Sequence, residues 1–274
     1  MANIGIIGYG FVGKALEYGF KGGDHKIEYY SRRVSTASFD EVIKKSEFIF
    51  MCLPTPFKGD KIDLSTMDEL VGKVAALTKG TDKIIVIKST VVPGTTKRYS
   101  ETYSDCKFCA NPEFLTEANY LHDFVNADRT VIGSTNKETR SKLAALYKEQ
   151  FPNVQIFETD PTSAEMCKYM SNCLLATKVS FANEMYDLCD KLGINYNKVK
   201  EMVIADKRIG KTHLDVTPER GFGGKCFPKD MVALIGRFKE LELDVSVLEA
   251  VWAKNLKIRT VRDWEHIPGA MTKD

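Results

Sequence analysis

Up to about Asp160, apolar residues come in short unbroken runs separated by polar or glycine-containing stretches; beyond it they recur at helical spacing. Asn3–Ile7 is such a run, and its length suits a buried strand. It leads into Gly8-Tyr9-Gly10-Phe11-Val12-Gly13 and then a helix-compatible stretch through Ala15, Leu16 and Phe20. Further strands are predicted at Ile27–Tyr30, Phe48–Leu53, Ile84–Ile87, Lys107–Ala110, Thr130–Gly133 and Val154–Phe157, with helices near Thr66–Leu77 and from Thr95 onward. Strands alternating with helices predict an α/β fold, a Rossmann-type doubly wound parallel sheet that binds ligands at its carboxyl ends, so the Thr55, Thr90 and Asn111 loops should open on one side. From Pro161 the positions Ala164, Cys167, Met170, Leu174, Phe181, Met185 and Leu188 predict one long helix ended by Gly193. A second helix is expected at Asn197–Ile204, a third from Asp230 and a fourth near Val245. The expected domains are therefore a cofactor domain, 1–159, and an all-helical central and dimerisation domain, 160–274.

Composition narrows the class. A chain of 274 residues that is 43% hydrophobic can bury two cores. A formal charge of +2 gives no electrostatic case for nucleic acid. No apolar run approaches the roughly 20 residues that span a bilayer, and the first strand begins too early for a signal segment. Seven cysteines, an odd number scattered through the predicted elements, suit reduced thiols in a cytoplasmic setting. Cys106 and Cys109 form a lone CxxC without a second pair or nearby histidines, so no metal site is expected.

Two motifs carry chemistry. The Gly8–Gly13 turn, between the first strand and a helix, suits the pyrophosphate of a dinucleotide held by Gly8, Gly10, Phe11, Val12 and Gly13. The second strand ends in Ser31-Arg32-Arg33, with no carboxylate where a ribose-binding acid would stand. A hydroxyl and two guanidinium groups suit a 2′-phosphate, so NADP is favoured over NAD unless both arginines are simply solvated. Near the other end, Gly221-Phe222-Gly223-Gly224-Lys225-Cys226-Phe227-Pro228-Lys229-Asp230 surrounds one thiol with mobile backbone, two lysines and a carboxylate. Cationic neighbours favour the thiolate, and the glycines could turn amide N–H groups toward an oxyanion.

These segments, with Leu53-Pro54-Thr55-Pro56, Lys88-Ser89-Thr90, Asn111-Pro112-Glu113-Phe114-Leu115-Thr116-Glu117, Lys168 with Asn172, and Arg208-Ile209-Gly210, resemble the UDP-glucose/GDP-mannose dehydrogenase family in order and over nearly the whole chain. The resemblance implies two NAD(P)-dependent oxidations of a nucleotide-sugar C6 alcohol to a carboxylate, with Cys226 as nucleophile of the second. It implies Lys168 and Asn172 on one helical face as alkoxide stabilisers, Asp230 as activator of a water, Glu113 as acid/base for thioester hydrolysis and Thr90 as a holder of that water. Pro54, Thr55, Thr90, Glu117 and Lys229 would line the cofactor. Glu113, Phe114, Leu115, Glu117, Lys168, Asn172, Phe222 and Gly223 would line the substrate, and Arg208 would reach it across a homodimer contact through the central helices. Read alone, Lys168 is a snorkelling surface lysine and Glu117 an ordinary helix carboxylate.

The chain departs from the family at Ala118, where glycine is common, and stops at Asp274, where members usually continue into a third domain that binds the substrate nucleotide. Either the chain is truncated or it is a naturally minimal homologue, and the second would leave the nucleotide to a partner subunit, to a separate protein, or unheld. The alternatives are an NADP-linked dehydrogenase of a smaller hydroxy acid or sugar, and a non-catalytic dimeric cofactor-binding subunit.

Overall fold

A computed structural model describes residues 1–272. Two compact units divide the chain: Met1–Thr55 with Asp63–Lys168, and Pro56–Ile62 with Tyr169–Asp274.

The first unit holds β1 (Asn3–Ile7), α1 (Phe11–Phe20), β2 (Lys26–Tyr30), α2 (Phe39–Lys45) and β3 (Phe48–Met51). After an excursion through β4 (Phe57–Lys58) and β5 (Lys61–Ile62), it resumes with α3 (Ser65–Thr78), β6 (Ile84–Ile87), α4 (Thr95–Thr102), β7 (Lys107–Ala110), α5 (Tyr120–Val125), β8 (Arg129–Gly133), α6 (Lys137–Gln150) and β9 (Gln155–Thr159). Seven strands form one sheet in the order β2-β1-β3-β6-β7-β8-β9. Successive strand residues point to opposite faces, and here both faces are covered. Thus Ile6, Phe48, Phe50, Ile84 and Val86 join the core beneath α1, α5 and α6, while Ile7, Ile49, Met51, Ile85 and Ile87 join the core with residues of α2, α3 and α4. That double coverage is why the strands read as continuous apolar runs.

The sheet is the expected Rossmann-type α/β arrangement with one difference. β8 joins β7 antiparallel, through the single pair Ala110 and Gly133. The Asn111 side chain reinforces this short ladder, donating from Nδ2 to Thr130 Oγ1 (3.1 Å) and to the Val131 carbonyl (2.8 Å).

The second unit is helical: the Tyr169–Lys191 part of α7 (Pro161–Lys191), α8 (Tyr196–Ile204), α9 (Cys226–Glu240), α10 (Ser246–Ile258) and a 3₁₀ turn at Asp263–Glu265. The stretch after Pro56 reads in the sequence as a polar loop, yet β4 and β5 pair antiparallel there. Two-residue strands are too short to show alternation; what fixes them is Phe57, buried with Val232, Trp264 and Ala270. The Phe57 amide donates to the Ala270 carbonyl (3.1 Å), and the Thr272 amide to the Phe57 carbonyl (3.0 Å).

Candidate active site

In the first unit the glycine turn follows β1 as expected. Gly8 adopts φ 98°, and a Cβ there would overlap the Cys52 carbonyl. A Cβ on Gly10 would meet nothing within 4 Å, leaving open space beside the N-terminus of α1. That terminus carries neither a side-chain cap nor an acid in its first turn, so its amides suit a pyrophosphate. Phe11 and Val12 are partly buried and Gly13 buried in the same turn. Arg32 and Arg33 are exposed after β2. The Ser31 hydroxyl serves its own turn, donating to the Val34 carbonyl (2.7 Å) and accepting from the Val34 amide (3.1 Å).

Beyond β6 and β7 lies a buried polar cluster. Lys168, 2% exposed, pairs with Glu113 at 3.0 Å, and Glu113 also accepts from the Leu115 amide (2.6 Å). Lys168 is therefore not the surface lysine its sequence context allows. Its ammonium lies 5.7 Å from the Phe114 ring centroid, and the Arg129 guanidinium 4.3 Å from the same centroid. Thr55, buried beside exposed Pro54, donates to the Thr90 carbonyl (2.8 Å), tying two of the expected loops together. Glu117 is exposed. Glu165 is a residue that sequence reasoning missed: it accepts from the Gly94 amide (2.6 Å) and the Thr96 amide (2.8 Å), capping α4. Burial outweighs these donors and raises its carboxyl to about 7.

The second unit assembles the other expected group. Cys226 is the first residue of α9, not part of a loop ahead of a helix from Asp230. Pro228 misleads the sequence reading, because proline is tolerated in a first turn where the missing N–H has no partner to lose. The sulfur thus belongs to a helix N-terminus, where the dipole favours an anion. Lys229, one of the expected activating cations, pairs through Nζ with Asp230 Oδ1 at 2.5 Å. Asp230, 1% exposed, also accepts from Asn172 Nδ2 at 2.6 Å. Burial beside Asp230 raises the Cys173 thiol far above its ordinary range, so that sulfur stays protonated.

The glycine loop is clamped by side chains that sequence reasoning did not single out. Asn255, fully buried, accepts from the Phe222 amide (2.7 Å) and donates to the Phe222 carbonyl (3.0 Å). Asp263 accepts from the Gly224 amide (3.0 Å), and Asn183 from the Gly221 amide (3.3 Å). These amides are committed to the clamp, so the expectation that the glycines turn their amides toward an oxyanion is corrected for Gly221 and Gly224. A Cβ on Gly223 would overlap Asp263, which explains glycine there. Arg208 is exposed and forms a bidentate pair with Asp206. The one available signal for Asn255 was a polar residue one helical turn after buried Val251.

Among the described residues, no cluster of His, Cys, Asp and Glu could hold a metal, no helix is long and apolar enough to cross a membrane, and all seven cysteines are free.

Comparison with known proteins agrees with this geometry. The UDP-glucose/GDP-mannose dehydrogenase family profile for the NAD binding domain matches residues 28–151, and that for the central domain matches 162–257. A UDP-glucose 6-dehydrogenase of Rickettsia bellii is 39% identical over 232 residues, 82% of this chain and 53% of that protein, so the chain spans about half the length of this curated relative. A solved UDP-glucose dehydrogenase from Pyrobaculum islandicum superposes with a TM-score of 0.84 at 30% identity, covering 94% of this chain and 68% of that one. The fold extends to 3-hydroxyisobutyrate dehydrogenase of Mycobacterium tuberculosis, with a TM-score of 0.75 at 13% identity over 96% of this chain and 95% of that one. A glycine turn after β1, a buried lysine–glutamate pair and a cysteine opening a helix thus accompany matches to both family profiles, and the chain belongs to the UDP-glucose/GDP-mannose dehydrogenase family.

Proposed function

We propose that this chain is a nucleotide-sugar 6-dehydrogenase that oxidises a C6 alcohol twice, through a covalent intermediate on Cys226. The observation that carries the reading is the burial of Lys168 against Glu113, one helical turn before Asn172, whose amide holds Asp230. Stability does not explain such pairs, because a buried ion pair contributes little over well-packed apolar residues. The bound nicotinamide supplies a hydride acceptor, and the open glycine turn and Arg32–Arg33 fit its dinucleotide. Both arginines favour NADP, since no carboxylate follows β2 to receive ribose hydroxyls.

The residues divide the work by their chemistry. The C6 hydroxyl loses a hydride and a proton, and the Lys168 ammonium and Asn172 amide stabilise developing charge on oxygen. The Cys226 thiolate then adds to the aldehyde carbon, and protonation of the oxygen gives a thiohemiacetal. Loss of a second hydride and a proton leaves a thioester. Water, held by Thr90 and activated by Glu113 or Asp230, breaks the carbon–sulfur bond, returning the thiol and releasing the carboxylate. Phe114, Leu115, Phe222 and Gly223 shape the sugar site, and Pro54, Thr55, Glu117 and Lys229 border the cofactor.

The exposed apolar stripe of α7, with Met170 63%, Leu174 58%, Phe181 60% and Leu188 52% exposed, supports a homodimer through the central helices, across which Arg208 would reach the substrate. Seven free thiols support a reducing, cytoplasmic compartment. A single-oxidation dehydrogenase of a smaller hydroxy acid is the second reading, favoured by Ser31-Arg32-Arg33. Incubation with NAD or NADP and a panel of UDP- and GDP-sugars separates the two: the leading reading expects two reduced cofactors per sugar acid, the second only one. Cys226→Ser should abolish acid formation while cofactor binding persists; full acid production by that variant removes the thioester route.

A further inference from the structure

Lys88 is a buried cation that the proposed reaction leaves without a role. Its side chain follows β6 and is 3% exposed. The ammonium donates to the Asn111 carboxamide oxygen (2.9 Å), makes a long contact with the Pro112 carbonyl (3.5 Å), and lies 5.7 Å from the ring centroids of both Phe124 and Tyr147. Among the described residues no carboxylate pairs with it. Glu113, whose charge it feels, is taken by Lys168. Burial raises the Cys52 thiol to about 12 and pushes the Tyr147 hydroxyl well above its ordinary value, so neither supplies an anion near neutrality. Desolvation, helped by the Lys168 charge, lowers the Lys88 amine to about 8, so at neutral pH it still carries its proton. A buried charge in a folded protein is normally paired, because leaving it unpaired costs several kcal/mol.

The same side chain lines a cavity of about 210 Å³ inside the first unit. Phe124, Tyr147, Phe151 and Val154 give it an apolar side, and polar groups line about half of it. Asp123 and the exposed Asp128 also line it, with the Arg129 guanidinium set against Phe114. Glu113 also lines the cavity but its charge is met by Lys168, so the unpaired Lys88 ammonium calls for one negative charge, the two aspartates disfavour a second, and the aromatic side calls for an apolar body.

We propose that this cavity is a binding site for a small organic monoanion, an aryl or branched-chain carboxylate, whose carboxylate pairs with Lys88. The site needs no turnover and stands apart from the dehydrogenase reading. It also shares Glu113 and Phe114 with the loop proposed for catalysis, so occupancy bears on that loop.

Benzoate is a suitable probe, titrated calorimetrically into the full chain in two buffers of different ionisation heat. At roughly pH 8.5, above the Lys88 value, binding takes up a fraction of a proton because the anion raises the amine's pKa; at roughly pH 6.5, where the amine is already charged, it does not. Lys88→Met weakens benzoate binding at least about tenfold, the scale of one charge-assisted hydrogen bond. Asn111 tolerates that change, because its Oδ1 keeps the Tyr147 hydroxyl at 2.6 Å. Val154→Phe fills the cavity with the charge intact and also abolishes binding, so the test survives a failure of Lys88→Met to fold. Absence of benzoate binding by the unmodified protein, undiminished affinity in either variant, or binding near pH 8.5 without proton uptake overturns the proposal.

Discussion

Asn255→Leu tests how the cysteine loop is held. The side chain is fully buried and satisfies both backbone groups of Phe222, its Oδ1 accepting at 2.7 Å and its Nδ2 donating at 3.0 Å. Leucine has the same branched arrangement of side-chain heavy atoms, so the change leaves no cavity and removes the polar contacts, while its bulkier methyl groups add to the loss. Phe222 is itself only 4% exposed, so its amide and carbonyl find no water in exchange. Each unsatisfied buried group costs about 1 to 3 kcal/mol, giving about 2 to 6 kcal/mol for the two. At the lower bound, with a tenfold change for every 1.4 kcal/mol, the opening equilibrium of the loop rises roughly thirtyfold. Hydrogen exchange read by mass spectrometry on the peptide spanning 220–226 measures this directly, with the β1 peptide as internal control. We expect at least that acceleration in the loop, no change in β1, and reduced acid formation with unaltered dinucleotide affinity. Exchange of the loop peptide within about twofold of the unmodified protein would show that Asn255 does not hold it.

Three further outcomes are expected. Lys168→Met leaves Glu113 buried without its ammonium and should cost about 3 to 5 kcal/mol, most of which Glu113→Gln restores in the double variant; urea unfolding checks this, and additive losses would refute the pairing. Glu165 has a folded pKa of about 7 against an ordinary 4.5, so its contribution to stability is fully present below about pH 4.5 and is lost as pH rises through 7, an effect of about 3 kcal/mol. The difference in Tm between the unmodified protein and Glu165→Gln, followed across that range, should shift against the unmodified protein as pH rises, and a constant difference would exclude the effect. Replacing Arg32 and Arg33 together by alanine should weaken NADP much more than NAD, by about tenfold or more in Kd ratio, as measured by fluorescence titration of both cofactors.

What could be read from the sequence follows from how locally each feature is encoded. The strands of the first unit were legible because a sheet covered on both faces needs apolar residues at every strand position, and Ile84–Ile87 satisfies both cores by itself. The glycine turn was legible because Gly8 needs a positive φ and sits directly after a strand. The start of α9 was not, because Gly223, Gly224 and Pro228 are loop signals in isolation and only the fold shows the proline lying in a first turn. The burial of Lys168 was not legible either, since helical periodicity places a residue on a face without naming what covers it. The family resemblance implied separate roles for Lys168 and Glu113; their 3.0 Å ion pair is a tertiary fact.

The buried lysines give the strongest physical argument that these surroundings serve chemistry. Lys88, Lys168 and Lys229 are 3%, 2% and 8% exposed, and lysine is almost never buried unless paired. Each meets the desolvation cost differently. Lys168 takes a carboxylate that the Leu115 amide also orients, Lys229 takes the carboxylate that Asn172 shares, and Lys88 has an amide oxygen, two aromatic rings and a lowered pKa. Apolar residues of similar volume would stabilise each position at least as well, so folding alone gives no reason for three such cations. For Lys168 the proposed reaction, which builds charge on oxygen, gives one, because a fixed ammonium in a poorly solvated pocket needs little reorganisation when that charge appears, and for Lys88 the proposed bound anion gives another. On this argument Glu113→Gln, which keeps the ammonium, should retain the first hydride transfer in a single-turnover assay, whereas the Lys168→Met/Glu113→Gln double variant, restored in stability, should lose it, separating the structural role of Lys168 from its chemical one.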